Sequence, residues 1–295
     1  MIPRELFKKI RKIEITTSRL AASHLAGQYA SVFKGRGMAF SEVRPYIHGD
    51  DARAIDWNVS ARMQEAYIKL FVEERDRTVN LLIDMSASGT FGSRGGAKRE
   101  VAAQVAAAIA FSAITHNDRV GLIMFTDEIE LYVPPKKGKR HVLRVIREIL
   151  SFEPRSPRTD LACGLELLGK VARRRQVAFV VSDFLASGYQ QRLRIAARRH
   201  DVVPVVVSDP LEAALPRLGI VALEDLETGQ VCELDTLGRD GRAFSARVAR
   251  AVAAREETFR RLGLEWIDVR TDRPYEEALI RFFRIRAARA ARAAR

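Results

Sequence analysis

Four short runs constrain this chain more than any other feature: TVNLLID (78–84), RVGLIMF (119–125), QVAFVVSD (176–183) and DVVPVVVSD (201–209). Each is too continuously apolar to be a strand with one wet face, so each reads as a strand buried on both sides. The segments between them carry helical patterns: AKREVAAQVAAAIAFSAITH (97–116), KRHVLRVIREILSF (139–152), TDLACGLELLGKVARR (159–174) and a stretch around 189–199. Thr159 or Asp160 is the expected cap of the third of these. Strands that alternate with helices predict an α/β fold, a doubly wound, mostly parallel sheet with helices on both faces.

The flanking segments read differently. IELYVPP (129–135) predicts a short edge strand that ends at its prolines. GIVALEDLETGQVCELD (219–235) predicts strand, Glu-Thr-Gly-Gln turn and strand. A long helix over 243–263, a last strand in LEWIDVRTD (264–272) and a helix from Pro274 follow. At the other end, residues 1–13 predict a short amphipathic helix with Leu6, Phe7, Ile10 and Ile13 on one face. Residues 27–75, with glycines, aromatics and partial alternation, predict strands and turns. Three parts are therefore expected: a leading helix and strand-rich element over 1–76, an α/β domain over 77–272, and a C-terminal helix with a basic tail over 273–295.

Composition narrows the function classes. A net charge of +13 favours acidic partners: nucleic acid, an anionic membrane face or an acidic protein. In RFFRIRAARAARAAR (281–295), Arg286, Arg289, Arg292 and Arg295 recur every third residue. They would continue a helix as a basic stripe, either a solvated tail or a weak nucleic-acid or lipid contact. No apolar stretch is long enough to span a bilayer, and the N-terminus shows no apolar leader, so the cytoplasm is the expected location. Cys163 and Cys232 stand far apart in apolar surroundings and read as reduced core residues.

In an open α/β sheet, ligands bind beyond the carboxyl ends of the strands. After the first buried strand come Asp84, Ser86 and Ser88, after the second Thr126 and Asp127, and after the third Ser182 and Asp183. Thr159 and Asp160 open a helix. This inventory of carboxylates and hydroxyls, without histidine or cysteine, suits Mg²⁺, with Mn²⁺ or Ca²⁺ as alternatives, and does not suit zinc. Plain helix capping is the competing reading of Asp84, Ser86 and Ser88. Another is a metal-dependent phosphohydrolase using Asp84 and Asp183, although two-metal chemistry needs more carboxylates than are present. A serine nucleophile lacks its G-x-S-x-G elbow, and neither phosphate-loop nor dinucleotide glycine pattern occurs, so ATP, GTP and NAD are not expected. The charged stretch HGDDARAIDW (48–57) has two readings. In one, Asp50 or Asp51 caps a short helix and pairs with Arg53 or Arg62 while Trp57 anchors a core. In the other, Asp50, Asp51, Arg53, Asp56 and Trp57 form a partner-docking surface.

DMSAS (84–88) matches D-x-S-x-S and so resembles the first segment of the metal-ion-dependent adhesion site of von Willebrand factor A domains. Thr159 in SPRTDL and Asp183 in VVSDF stand where that family has its threonine and later aspartate. A narrower resemblance runs from about residue 20 to 210. It is carried by GRGMAFSEVRPYIHGDDARAIDWNVSARM (35–63), LFVEERDRTVNLLIDMSASGTFGS (70–93) and DRVGLIMFTDEIELYVPPKKGKRH (118–141). These are similar to a bacterial domain-of-unknown-function family with a von Willebrand A-like domain, commonly encoded beside MoxR-type AAA+ ATPases. Many members have membrane segments near the N-terminus, and this chain resembles the short soluble form. The resemblance implies a binding module rather than an enzyme, acting with a MoxR-type ATPase in assembling or remodelling another protein. It implies that Ser86, Ser88 and Thr159 ligate the metal directly and that Asp84 and Asp183 act largely through waters. Neutral hydroxyl ligands leave the dication under-neutralised, so it seeks an acidic side chain from a protein partner. Nearby helix N-termini oppose a cation, and the two aspartates must offset them.

Overall fold

Local sequence accounts for most of the elements in the computed structural model, which describes residues 4–21, 29, 32, 38–73, 77–93 and 96–293. The buried runs become β3 (Thr78–Asp84), β4 (Arg119–Phe125), β6 (Val177–Ser182) and β7 (Asp201–Ser208). With β5 (Ile129–Lys136) and β10 (Ile267–Arg270) they form a six-stranded sheet in the order β10-β7-β6-β3-β4-β5. All its pairings are parallel except β4–β5. The fold is thus a doubly wound α/β fold of the von Willebrand A or Rossmann-like kind. The chain winds outward from β3 through β4 to β5, then restarts on the other side with β6, so the winding reverses between β3 and β6.

Each strand sends alternate side chains to opposite faces. Leu81 and Ile83 enter one core with α1 (Arg4–Leu20), α3 (Lys98–Thr115), α4 (Lys139–Ser151) and α9 (Tyr275–Ala293). Leu82 enters the other, with α5 (Leu161–Val171), α6 (Gln190–Arg199) and Phe259 of α8 (Arg239–Arg261). Each such fully buried side chain contributes about 1.5–3 kcal/mol. The alanines of α3 let it lie between the sheet and other helices, with Ala103 and residues 105–110 buried around most of its circumference. The remaining elements are α2 (Trp57–Met63), a one-turn α7 (Pro210–Ala213), a β1–β2 hairpin (Met38–Pro45 with Tyr67–Glu73) and a β8–β9 hairpin (Ile220–Glu224 with Val231–Asp235). Both hairpins are sheets of their own.

Several expectations need correction. The leading helix runs on to Leu20 because Ile13, Leu20 and Ala21 also find core contacts, and the side chains of Leu6 and Phe7 lie outside the described residues. β5 does not stop at its prolines. It continues to Lys136 as an edge strand, with a register shift opposite Gly121. A Cβ on Gly121 would lie 2.9 Å from Pro135 Cγ, so the glycine makes room for a proline that needs no ladder bond there. Cys232 is exposed, on a hairpin that stands off the sheet, and Cys163 is only half-buried. Trp57 is no core anchor: it is 72% exposed, at the start of a short helix that carries no buried residue. The Arg/Ala tail is helical to Ala293, and the first two arginines of its stripe are held in ion pairs. Arg286 pairs with Asp201 at 2.5 Å and Glu265 at 3.3 Å, and Arg289 pairs with Glu265 at 2.5 Å. Among the described residues no helix is long and apolar enough to cross a membrane.

Candidate metal centre

The reversal between β3 and β6 places two strand ends side by side. Asp84 closes β3, and Ser86 begins a 3-10 turn over Ala87–Thr90 that carries Ser88 back over the strand end. Asp84 Oδ1 accepts from the Ser86 amide at 3.0 Å, and its Oδ2 accepts from Ser182 Oγ at 2.7 Å. Thr159, just ahead of the Asp160 cap of α5, brings Oγ1 to 3.4 Å from Asp84 Oδ1. The Ser86 and Ser88 hydroxyls lie 3.1 Å apart, and Ser88 Oγ donates to Asp183 Oδ2 at 3.0 Å. Asp84, Ser86, Ser88, Thr159 and Asp183, drawn from three separate segments, thus form one connected cluster.

Further side chains join them. Lys98, the first residue of α3, is 3% exposed and points its ammonium at Asp183 Oδ2 (2.9 Å) and Glu212 Oε1 (2.5 Å). Glu227, from the β8–β9 turn, accepts from Thr159 Oγ1 at 3.0 Å. Arg255 of α8 holds the Asp183 carbonyl at 2.8 Å, and Arg99 reaches the Met85 carbonyl at 3.2 Å. The two aspartates are driven apart. Burial pushes the Asp84 carboxyl up, and the nearby Asp183 charge adds to it. Burial also works on Asp183, but the Lys98 ammonium outweighs it and holds that carboxyl below the ordinary range. The Lys98 ammonium loses hydration, yet its two carboxylates more than restore its proton affinity. Burial raises the Glu227 carboxyl, and the charges of Asp84 and Asp183 push the same way.

A cavity of about 20 Å³ between Asp84, Ser88, Lys98 and Asp183 has room for one water or one small ion. Asp84, Ser88, Ser182 and Asp183 give its wall the hard oxygen donors that Mg²⁺ or Ca²⁺ requires, and Lys98, Arg99, Ala102, Val181 and Val207 close the rest of it. Among the described residues no three His, Cys, Asp or Glu side chains gather as a metal cluster, so a cation here must draw mainly on hydroxyls. A larger groove of about 300 Å³ lies between β10 and α9, lined mainly by Leu264, Trp266, Ile267, Phe282 and Ile285, apart from this chemistry.

The other strand-end residues do not reach the cluster. Thr126 Oγ1 is buried against Glu130 at 2.9 Å, and Asp127 is exposed. Asp160 caps α5 through the Ala162 amide. In the 48–57 stretch the acids serve the local chain. Asp50 pairs with Arg44 at 2.8 Å rather than with Arg53 or Arg62. Asp51 accepts from the Arg53 amide, and Asp56 caps α2 and sits 3.4 Å from Lys69. Sequence reasoning missed Lys98, Glu212 and Glu227. Ser182 was visible in the strand-end inventory, but its bond to Asp84 was not.

Residues 42–258 match the family described as protein of unknown function DUF58. The chain belongs to that family. The match begins later than the resemblance read from sequence and extends through the β8–β9 hairpin and most of α8. Uncharacterized proteins of Mycobacterium bovis and Mycobacterium tuberculosis are 34% identical to this DUF58 chain over 284 residues, covering 94% of it and 89% of their own length. Among solved structures, an aerotolerance-related membrane protein from Bacteroides fragilis aligns with 72% of the chain and 99% of its own (15% identity, TM-score 0.47). Proximal thread matrix protein 1 from the mussel byssus, solved with a zinc-occupied MIDAS motif, aligns with 45% of the chain and 38% of its own (12% identity, TM-score 0.37).

Proposed function

We propose that this DUF58 protein is a divalent-cation-dependent protein-binding module. In this reading Ser86, Ser88 and Thr159 hold the ion directly, while Asp84 and Asp183 hold its waters and supply the negative charge. Mg²⁺ is the proposed ion, with Mn²⁺ and Ca²⁺ as alternatives. The observation that carries the reading is the convergence of these five side chains in one hydrogen-bonded cluster at the winding reversal, beside a cavity of about 20 Å³ that Asp84, Ser88 and Asp183 help to line. When bound, the cation supplies a Lewis-acidic position for one carboxylate of a protein partner.

The protein's own groups prepare that position. Ser182 and the Ser86 amide orient Asp84, and Lys98 keeps Asp183 ionised and fixed. Lys98 also occupies one Asp183 oxygen, which supports a water-mediated role for that carboxylate. The protein is proposed to act with a MoxR-type AAA+ ATPase in assembling or remodelling another protein, on the strength of the sequence resemblance alone. A nucleic-acid reading of the C-terminal stripe is weakened by the intramolecular pairing of Arg286 and Arg289.

Calorimetric titration of Mg²⁺ and Mn²⁺ into metal-free protein tests the reading, beside a Ser86→Ala, Ser88→Ala double variant. Saturable binding that the double variant loses is the expected result. It would justify a metal-dependent pull-down of the ATPase. Absence of binding in the native chain, or binding that survives the double substitution, would sink the proposal.

A further inference from the structure

The β8–β9 hairpin makes one intimate contact with the cluster, and it makes it with a carboxylate. Residues 225–230 form the turn, and all are exposed except Glu227, which is half-buried. Its Oε1 accepts from Thr159 Oγ1 at 3.0 Å, the same hydroxyl that lies beside Asp84. The turn is built to present it. Asp225 Oδ1 accepts from the Glu227 and Thr228 amides at 2.9 and 3.2 Å, and the Gly229 amide closes onto the Asp225 carbonyl at 2.7 Å with φ +70. The hairpin itself is lightly held. It is a two-stranded sheet apart from the main one, with Ile220 75% and Val231 65% exposed. Its other face, with Val221, Leu223 and Leu234, is half-buried and β9 packs on α8, but none of its residues is fully buried, and a two-stranded hairpin so held is marginal by itself. The chain therefore carries its own acidic residue on a weakly anchored arm, placed against a hydroxyl of the site.

We infer that Glu227 is a built-in acidic ligand of the metal centre, and that the β8–β9 hairpin is a latch which a partner's carboxylate must displace. The inference rests on the cation reading above. A hydroxyl-ligated dication seeks an anionic ligand, and Glu227 meets that need from within the chain, at the high effective concentration of a tethered group. A partner then binds only the fraction of molecules whose hairpin is released, so its apparent affinity is lowered by that fraction. Movement of the hairpin is the event that switches the site from self-liganded to open.

The test uses Mn²⁺ alone as probe on the full chain, with Glu227→Gln, Glu227→Ala and the Ser86→Ala, Ser88→Ala double variant. Glu227→Gln keeps an acceptor for Thr159 and removes only the charge. Three readouts are taken: Mn²⁺ affinity, water-proton relaxivity of the bound ion, and amide exchange over residues 220–235 with and without metal. Both Glu227 variants should bind Mn²⁺ about tenfold more weakly. In Glu227→Ala the bound ion should gain a water ligand and raise the relaxivity. Mn²⁺ should slow exchange across the hairpin in the native chain and not in either Glu227 variant. If the native chain binds and the serine variant does not, but the Glu227 variants match the native chain in all three readouts, the latch is overturned and the metal centre stands. If Mn²⁺ binds nowhere, or binds despite the serine substitutions, the metal centre and the latch fall together.

Discussion

Ser182-Asp183 and Ser208-Asp209 are the same dipeptide at the carboxyl ends of adjacent parallel strands, each after a run of buried valines. Their chemistry differs completely. Ser182 Oγ donates to Asp84, and Asp183 meets Ser88 and Lys98 inside the candidate metal centre. Asp209 instead stitches structure together. It caps α7 in a capping box with Glu212, accepts from Ser93 at 2.7 and 2.9 Å, and accepts from Thr271 at 2.6 Å. The cause is neighbourhood and backbone. β6 lies beside β3, where the winding reverses, so its end faces Asp84. β7 lies between β6 and β10, so its end faces the Thr271 turn. After Asp183 the chain also turns sharply. Phe184 sits in the left-handed region at φ +55, unusual for a bulky residue, held by its amide on Ser182 Oγ and by edge contacts of its ring with Phe259 and Tyr189. Asp209 is followed by Pro210, which starts a helical turn directly. The lesson is that a strand-end aspartate becomes a site residue through what the adjacent strand presents to it.

The comparison can be broken in four ways. The largest effect is expected from Lys98→Met, which leaves the buried Asp183 carboxylate without its counter-charge and should cost about 3 kcal/mol of metal-free stability. Urea denaturation with and without Mg²⁺ checks this: on the proposed reading the cation restores part of the loss, and an Mg²⁺-independent deficit would count against it. Asp209→Ala removes a cap and the bonds to Ser93 and Thr271, and should cost about 2 kcal/mol. Its Mg²⁺ titration should nevertheless match the native curve, since Asp209 lies outside the cluster. Asp183→Asn should weaken Mg²⁺ binding about tenfold, whereas Asp209→Asn should leave it unchanged, by calorimetry. If both weakened it equally, the two strand ends would not be separate in function.

The smallest effect belongs to the amino end of β7. His200 is buried, and neither ring nitrogen has a hydrogen-bond partner among the described residues. Burial, then the charges of Arg199 and Arg175, hold its pKa below the ordinary 6.5. The unfolded chain therefore binds this proton more readily than the folded one, so the contribution is fully present above about pH 6.5 and declines as pH falls below it. His141, also depressed by burial, acts with the same sign. Thermal melts between pH 7.5 and 5 should show the decline, and His200→Gln should flatten it without removing the His141 part.

Legibility followed sequence distance. Asp84, Ser86 and Ser88 were readable because three neighbours on one turn must lie together. Thr159 and Asp183 were readable because they follow or precede elements whose carboxyl ends share one side of a parallel sheet. Lys98 gave no signal, standing as one more basic residue at the start of an alanine-rich helix. Glu227 looked like an ordinary hairpin-turn residue. Trp57 and Cys232 misled for the opposite reason: apolar type suggests burial, but each lies on a small element apart from the main sheet and is exposed.

By itself, then, the sequence determined the buried strands, the helices between them and the polar residues at the strand ends, because periodicity and burial are local properties of the chain. The tertiary structure alone decided which strand ends became neighbours, that Lys98 would sit as a buried cation between Asp183 and Glu212, and that Glu227 would lean onto Thr159. Those contacts depend on the order of strands in the sheet and on where a distant hairpin folds back, which no local pattern encodes.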